Sequence, residues 1–141
     1  MSNRPKFAKS NDGVAAIEFA IVVPLLLLFV FGIIAYGVYF GAAHSVQQLA
    51  ANSARAAMGG LDMEERQELV HAYVTTALEE GGLLLDDHVG IQVSANEERS
   101  DFLVVTVSYD ASELPVWNLY NGLPMPEKTI TRTSLIRAGG Y

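Results

Sequence analysis

Between Val14 and Phe40 the chain carries one charged side chain, Glu18, and from Phe19 to Phe40 it carries none over 22 residues. As a helix, that charge-free run extends about 33 Å at about 1.5 Å per residue. About 20 such residues cross the hydrocarbon core of a bilayer. The stretch therefore reads as a transmembrane segment over residues 19–40, set in a longer helix over 14–58. In a chain of 141 residues this leaves room for at most one modest globular domain beside it.

The flanks orient the segment. Arg4, Lys6 and Lys9 precede it, opposed by Asp12, whereas the next basic residue after it is Arg55. Lys and Arg are held on the cytoplasmic side, so residues 1–13 read as a polar cytoplasmic leader and residues 41–141 as exported. The chain's formal net charge of -7 then comes from the exported part, in Asp62, Glu64, Glu65, Glu68, Glu79, Glu80, Asp86 and Asp87 among others. Such a surface argues against nucleic acid as a partner. A secretory signal peptide is the competing reading, with Gly41-Ala42-Ala43 as its cleavage site. Its apolar region would span only about 7–15 residues, and Glu18 and Pro24 would interrupt it.

Past Phe40 the helix changes character without a breaker. Ala42, Ala43, Val46, Ala50, Ala54 and Ala57 recur at helical spacing with polar residues between them, and Gly59-Gly60 supplies a stop. Pro24 is expected to bend the helix. Gly32, Ala35 and Gly37 offer a small-residue surface for a second helix. Asp62, with Glu65 three residues on, has the form of a capping box. Leu69, Val70, Tyr73, Val74, Ala77 and Leu78 then make one apolar stripe, closed by Gly81-Gly82.

The remainder reads as strand. Residues 89–95 and 103–109 alternate in polarity about a polar linker at 96–101, as a hairpin does, and a third strand is expected from Lys128 to Arg137. Between them, Ser112 to Glu127 holds Pro115, Pro124 and Pro126 with Trp117, Tyr120 and Met125, so a strand is not expected there. Its apolar side chains are expected to cap the sheet or to form a contact patch. The fold class expected is α+β: a long N-terminal transmembrane helix, a second amphipathic helix and a small three-stranded antiparallel sheet, with 61–141 as the exported domain.

Catalytic chemistry is not expected. Ser, His and Asp occur without a nucleophile elbow or comparable signature. Cysteine is absent, which excludes thiolate zinc sites, and His44, His71 and His88 share no ligand spacing. Asp86-Asp87 and Glu97-Glu98 fall in expected turns and read as solvated. Gly59-Gly60 and Gly81-Gly82 close helices, where a phosphate loop would open one. No metal or cofactor is expected.

Glu18 is the exception to this bland picture. A carboxylate at membrane depth costs several kcal/mol, about +2.5 to +3.5 at the centre on an insertion scale. It either snorkels to the cytoplasmic headgroups or pairs with something. It also follows Gly13 by five residues. The run Gly13-Val14-Ala15-Ala16-Ile17-Glu18-Phe19 resembles the processing site of type IV pilin-like proteins. Ala20-Ile21-Val22-Val23-Pro24-Leu25-Leu26-Leu27-Leu28, with Gly32-Ile33 and Tyr36-Gly37 beyond it, is more specifically similar to the TadE-like family. The likeness is closest over 13–40, continues through Ala50 to Ala57, and fades afterwards. It departs from the family at Ala35-Tyr36-Gly37, where members often carry an acidic residue.

That resemblance implies a minor pilin, or pseudopilin, of the tight-adherence (Flp-type) secretion system in the bacterial inner membrane. It implies cleavage between Gly13 and Val14 by a prepilin peptidase, with Glu18 and Phe19 as assembly and recognition residues and Pro24 as a kink. The implied partners are that peptidase, other minor pilins, the pilus assembly machinery and the inner membrane. Two other readings stand beside it. One is a single-pass adhesion or sensor protein with leader 1–13 intact. The other is a secreted binding or hydrolase domain released after Ala43.

Overall fold

The structure, a computed structural model, describes residues 11–82, 84, 86–96, 101–118 and 125–137. Leader residues 1–10, the tip of the hairpin linker, and Tyr120 and Pro124 of the proline-rich loop lie outside the described residues. The elements are α1 (Asn11–Ala56), α2 (Met63–Glu79), β1 (Val89–Ala95), β2 (Phe102–Asp110) and β3 (Thr129–Arg137). Short 3-10 turns occupy Ala57–Gly59, Asp86–His88 and Pro115–Asn118. This is the α+β arrangement expected from the sequence.

Helix α1 runs 46 residues with Pro24 inside it, about 69 Å at about 1.5 Å per residue. It starts three residues before the expected Val14, so Gly13 lies in its first turn. At its far end the last turn tightens into the Ala57–Gly59 3-10 turn before Gly60. That tightening satisfies terminal carbonyls within the chain.

The reversal into α2 is built around Gly60. Arg66 Nε donates to Gly60 O at 3.0 Å, and a Cβ on Gly60 would stand 2.6 Å from Arg66 Cγ and 2.8 Å from Arg66 N. Asp62 then caps α2, accepting Glu65 N–H at 2.9 Å. Glu65 reaches back to the Leu61 N–H at 2.7 Å, one residue before the cap. The exchange satisfies two donors that the first helical turn leaves open. Helix α2 ends where Gly81 takes φ +84 and donates to Leu78 O at 3.2 Å, the left-handed stop that glycine adopts without a Cβ penalty.

The sheet has the order β1-β2-β3, antiparallel throughout. Strand β2 is central, pairing Val89 with Tyr109 and Ala95 with Leu103 on one side, and Asp110 with Thr129 and Phe102 with Arg137 on the other. Leu103, Val105, Val107 and Tyr109 all point inward and are buried. Facing them is a seam of α1, Ala35, Tyr39, Ala42, Ala43, Val46, Leu49, Ala50, Ser53 and Ala54, continued by Ala57 of the 3-10 turn. Small side chains let the helix axis come close to the sheet. The one polar member, Ser53, donates to Leu49 O at 2.6 Å, so its burial leaves no unmet donor. Val70 and Val74 of α2 close the core from the flank.

The proline-rich loop packs on the core that it shares with the sheet and also along α1. Leu114 and Val116 are buried in the common core, and Pro115 and Asn118 lie along α1, so the loop clothes the helix. Its geometry is set at the end of β2. Asp110 accepts the Ser112 N–H at 2.9 Å and also the Ser112 hydroxyl. Ala111 N donates to Lys128 O at 2.7 Å, Trp117 Nε1 donates to Ala111 O at 2.6 Å, and Tyr39 Oη donates to Glu127 O at 2.9 Å. These bonds tie both ends of the loop to β2 and α1.

Two outcomes follow. Gly60→Ala is expected to destabilise the head by about 1–3 kcal/mol through overpacking against the Arg66 backbone. Gly59→Ala, whose added carbon meets only Leu69 Cδ1 at 3.6 Å, should stay close to the parent in the same urea titration. The second outcome concerns pH. The Ser112 hydroxyl and N–H hold the Asp110 carboxyl below its ordinary value, helped by His88 and Lys128. A lowered folded pKa means the contribution is complete above the unfolded value of about 3.9 and is lost as pH falls through the folded one. The parent should therefore lose stability on acidification below about pH 4 more steeply than Asp110→Asn; identical pH profiles would remove this role for the turn.

Candidate functional site: the uncovered half of the long helix

The two halves of α1 meet different surroundings. From Ala35 onward one face is buried by the head; from Gly13 to Ile34 no residue of the helix is buried. Between Val14 and Ile34 every large apolar side chain except Val23 stands exposed. A contiguous apolar surface of this extent is far larger than a water-soluble monomer shows. It requires lipid or other helices around it. By length and composition this is a helix able to cross a membrane, consistent with a single-pass anchor.

The residues singled out from the sequence all lie on this uncovered half. Gly13, Val14, Glu18, Phe19 and Pro24 are exposed, and none touches the head. Glu18 follows Val14 by four residues. That spacing places Glu18 and Val14 on one face of α1, one turn apart. Phe19 is displaced by about 100° around the axis. Val14 and Glu18 thus share a face of the bare half, while Phe19 and Pro24 fall on other faces.

The small-residue surface is narrower than expected. Gly32 and Gly37 have nothing within 4 Å of a would-be Cβ, so a neighbouring helix can approach there. Ala35, at 3% exposure, faces the chain's own core and is not available. The head also begins at Ala35 and includes Tyr39, both inside the apolar run that hydropathy treats as uniform. Hydropathy cannot separate burial by protein from burial by lipid. The only local hint is the change from bulky residues to Ala35, Ala42 and Ala43 at helical spacing.

Within the head, His88 Nε2 and Glu113 Oε2 stand 3.8 Å apart and Arg137 Nε and Asp101 Oδ2 stand 3.2 Å apart. These are surface pairs of the kind that contribute little. A groove between α1 and α2, lined by Gln48, Asn52, Tyr73 and Leu78 among others, is polar and open, and gathers no titratable cluster.

A long helix half wrapped by a small α+β head and half bare is consistent with a single-pass membrane anchor that carries a folded domain. A family model described as TadE-like protein matches residues 13–55, so this segment carries the family signature that the resemblance implied. The match ends one residue before α1 does. Searches of curated proteins and of solved structures return no match.

Because the core reaches back to Ala35 and no further, a chain beginning at Ile34 is expected to be folded and soluble. One beginning at His44 lacks Ala35, Tyr39, Ala42 and Ala43. It should lose more than about 3 kcal/mol, given about 1.5–3 kcal/mol for one large buried side chain and the Tyr39–Glu127 bond besides. Urea midpoints of the two fragments would check this; equal midpoints would mean that the first turns of the seam do not hold the head.

Proposed function

We propose that this chain is a minor pilin (pseudopilin) of a tight-adherence pilus, with a structural role in initiating or regulating filament assembly and no catalytic role of its own. The observation that carries the reading is the TadE-like match over 13–55 on a helix whose bare half begins with Gly13, Val14 and Glu18. Residues 1–13 serve as a cytoplasmic leader that a prepilin peptidase removes between Gly13 and Val14. Gly13 has no side chain to obstruct a peptidase cleft, and glycine costs a helix about 1 kcal/mol relative to alanine. The first turn of α1 is therefore cheap to unwind at the cut.

Cleavage creates an α-amino group on Val14 with a pKa of about 8, cationic at neutral pH. Glu18 then has a counter-ion one turn away on its own helix, or on a neighbouring subunit one step along an assembly. Pairing offsets the desolvation of both charges, whereas either alone would be costly in lipid. It also favours one axial register between packed helices, with Gly32 and Gly37 as points of close approach. The partners are the peptidase, related minor pilins and the assembly machinery in the inner membrane, with the head exported.

The alternative of a domain released after Ala43 is opposed by the core. Ala42 and Ala43 are buried in a continuous helix, and release there would strip the seam of its first turns. An unprocessed single-pass adhesion or sensor protein is the alternative that N-terminal sequencing separates.

The parent chain is expected to mature to a product starting at Val14, and Gly13→Leu to persist at full length on a gel. Normal cutting of that variant would remove the processing step from this reading. Glu18→Ala should mature yet fail in assembly and surface attachment; full attachment would leave the pairing without a purpose.

A further inference from the structure

We propose that the 3-10 turn Pro115–Asn118, with Trp117 at its centre, is seated in the outer leaflet of the membrane as an interfacial anchor of the head. This rests on the membrane-spanning reading above and adds a lipid contact to the exported domain. The observation is positional. An apolar recess of about 350 Å³ is lined by Leu28, Phe31, Ile34 and Ala35 of α1 and by Pro115 and Asn118 of the turn. A piece of the exported head therefore lies beside a part of α1 that belongs to the bare, lipid-requiring half.

Length then decides where the turn must be. A hydrocarbon core of about 30 Å takes about 20 helical residues. If the core begins at Val14 it ends near Ile34, and Leu28 lies about 9 Å inside it. The same recess is bordered by Ile34 and Ala35, and the buried core of the head starts at Ala35, so a span from Val14 to Ile34 sets the turn at the outer surface of the bilayer with its apolar side toward the acyl chains.

The chemistry suits that boundary. Trp117 is half-buried and its indole N–H is already satisfied by Ala111 O at 2.6 Å, so the ring enters an apolar layer without an unmet donor. Lys128 Nζ stands 5.6 Å over the Trp117 ring, where an ammonium can meet lipid phosphate. Tyr36 and Phe40 of α1, with ring centroids 6.4 Å apart, lie just beyond the bare span. Tryptophan and tyrosine with a basic residue are the side chains that collect at membrane interfaces. The recess is continuous with the lipid-facing surface of α1, so an acyl chain is the occupant it commits to.

Trp117 is the single tryptophan of the chain and reports on its own position. The full chain is reconstituted at high lipid excess into phosphatidylcholine–phosphatidylglycerol vesicles brominated either near the headgroup or near the chain ends. The emission of Trp117 should fall about twofold or more with shallow bromines and less with deep ones, and aqueous iodide should leave most of it intact. Quenching by iodide with no response to either bromolipid overturns the proposal, as does stronger quenching by the deep bromines. The double variant Phe29→Trp/Trp117→Phe separates the two readings. Strong deep quenching there alongside an unresponsive Trp117 in the parent defeats the anchor alone. No quenching at either position defeats the spanning helix and the anchor with it.

Discussion

The contact on which this structure depends is the seam where α1 meets the inner face of β2. A three-stranded sheet has only one face to bury, and α2 brings just Val70 and Val74 as fully buried partners. Most of the hydrophobic burial therefore comes from α1, through residues spaced three and four apart from Ala35 to Ala57. The small side chains there are not weak contributors. They let Leu103, Val105, Val107 and Tyr109 reach the helix backbone, and close packing is where dispersion accumulates. The head has no core without α1, and α1 has no water-compatible surface without the head. Anchor and domain are for that reason a single physical object, unlike a tethered pair.

This explains which parts of the molecule were legible in the sequence. Features set by local spacing were plain. Strand β1 falls at residues 89–95 as the alternation indicated, Asp62 caps α2 with Glu65 answering, and Gly81 turns left-handed at the end. Small offsets have small causes: β3 begins at Thr129 in place of Lys128, and α1 gives way to a 3-10 turn at Ala57 before the expected Met58. What stayed hidden was set by contacts between distant residues. The Tyr39–Glu127 bond joins positions 88 apart, and no periodicity announces it. Ala35 and Tyr39 sit in an apolar run whose composition is the same whether lipid or protein covers it. The proline-rich loop announced that it was not a strand, but nothing local said that it would lie along α1.

The candidate site was legible for a different reason. Glu18 is conspicuous because its surroundings make a charge costly, and a costly residue is easier to read than a comfortable one. The fold adds what the sequence lacked: Gly13 is helical, and Gly13, Val14, Glu18, Phe19 and Pro24 share one bare half of a helix. The four-residue offset between Val14 and Glu18 is the shortest that brings a residue back to the same face after one complete turn.

The two ends of the bare half can be weighed against the bilayer together. From Val14 to Ala35 is 21 helical steps, about 32 Å, close to the about 30 Å of a hydrocarbon core. At one end an amine–carboxylate pair would resist being drawn deeper into lipid. At the other the head, with Trp117 and Lys128 at its margin, would resist the same movement from the opposite side. A rigid helix held at both interfaces has little freedom to slide. Mismatch is relieved by tilt, which costs only fractions of a kcal/mol per Å. Any step that extracts this helix must break both holds at once, because α1 is continuous between them. The head cannot stay behind while the helix moves.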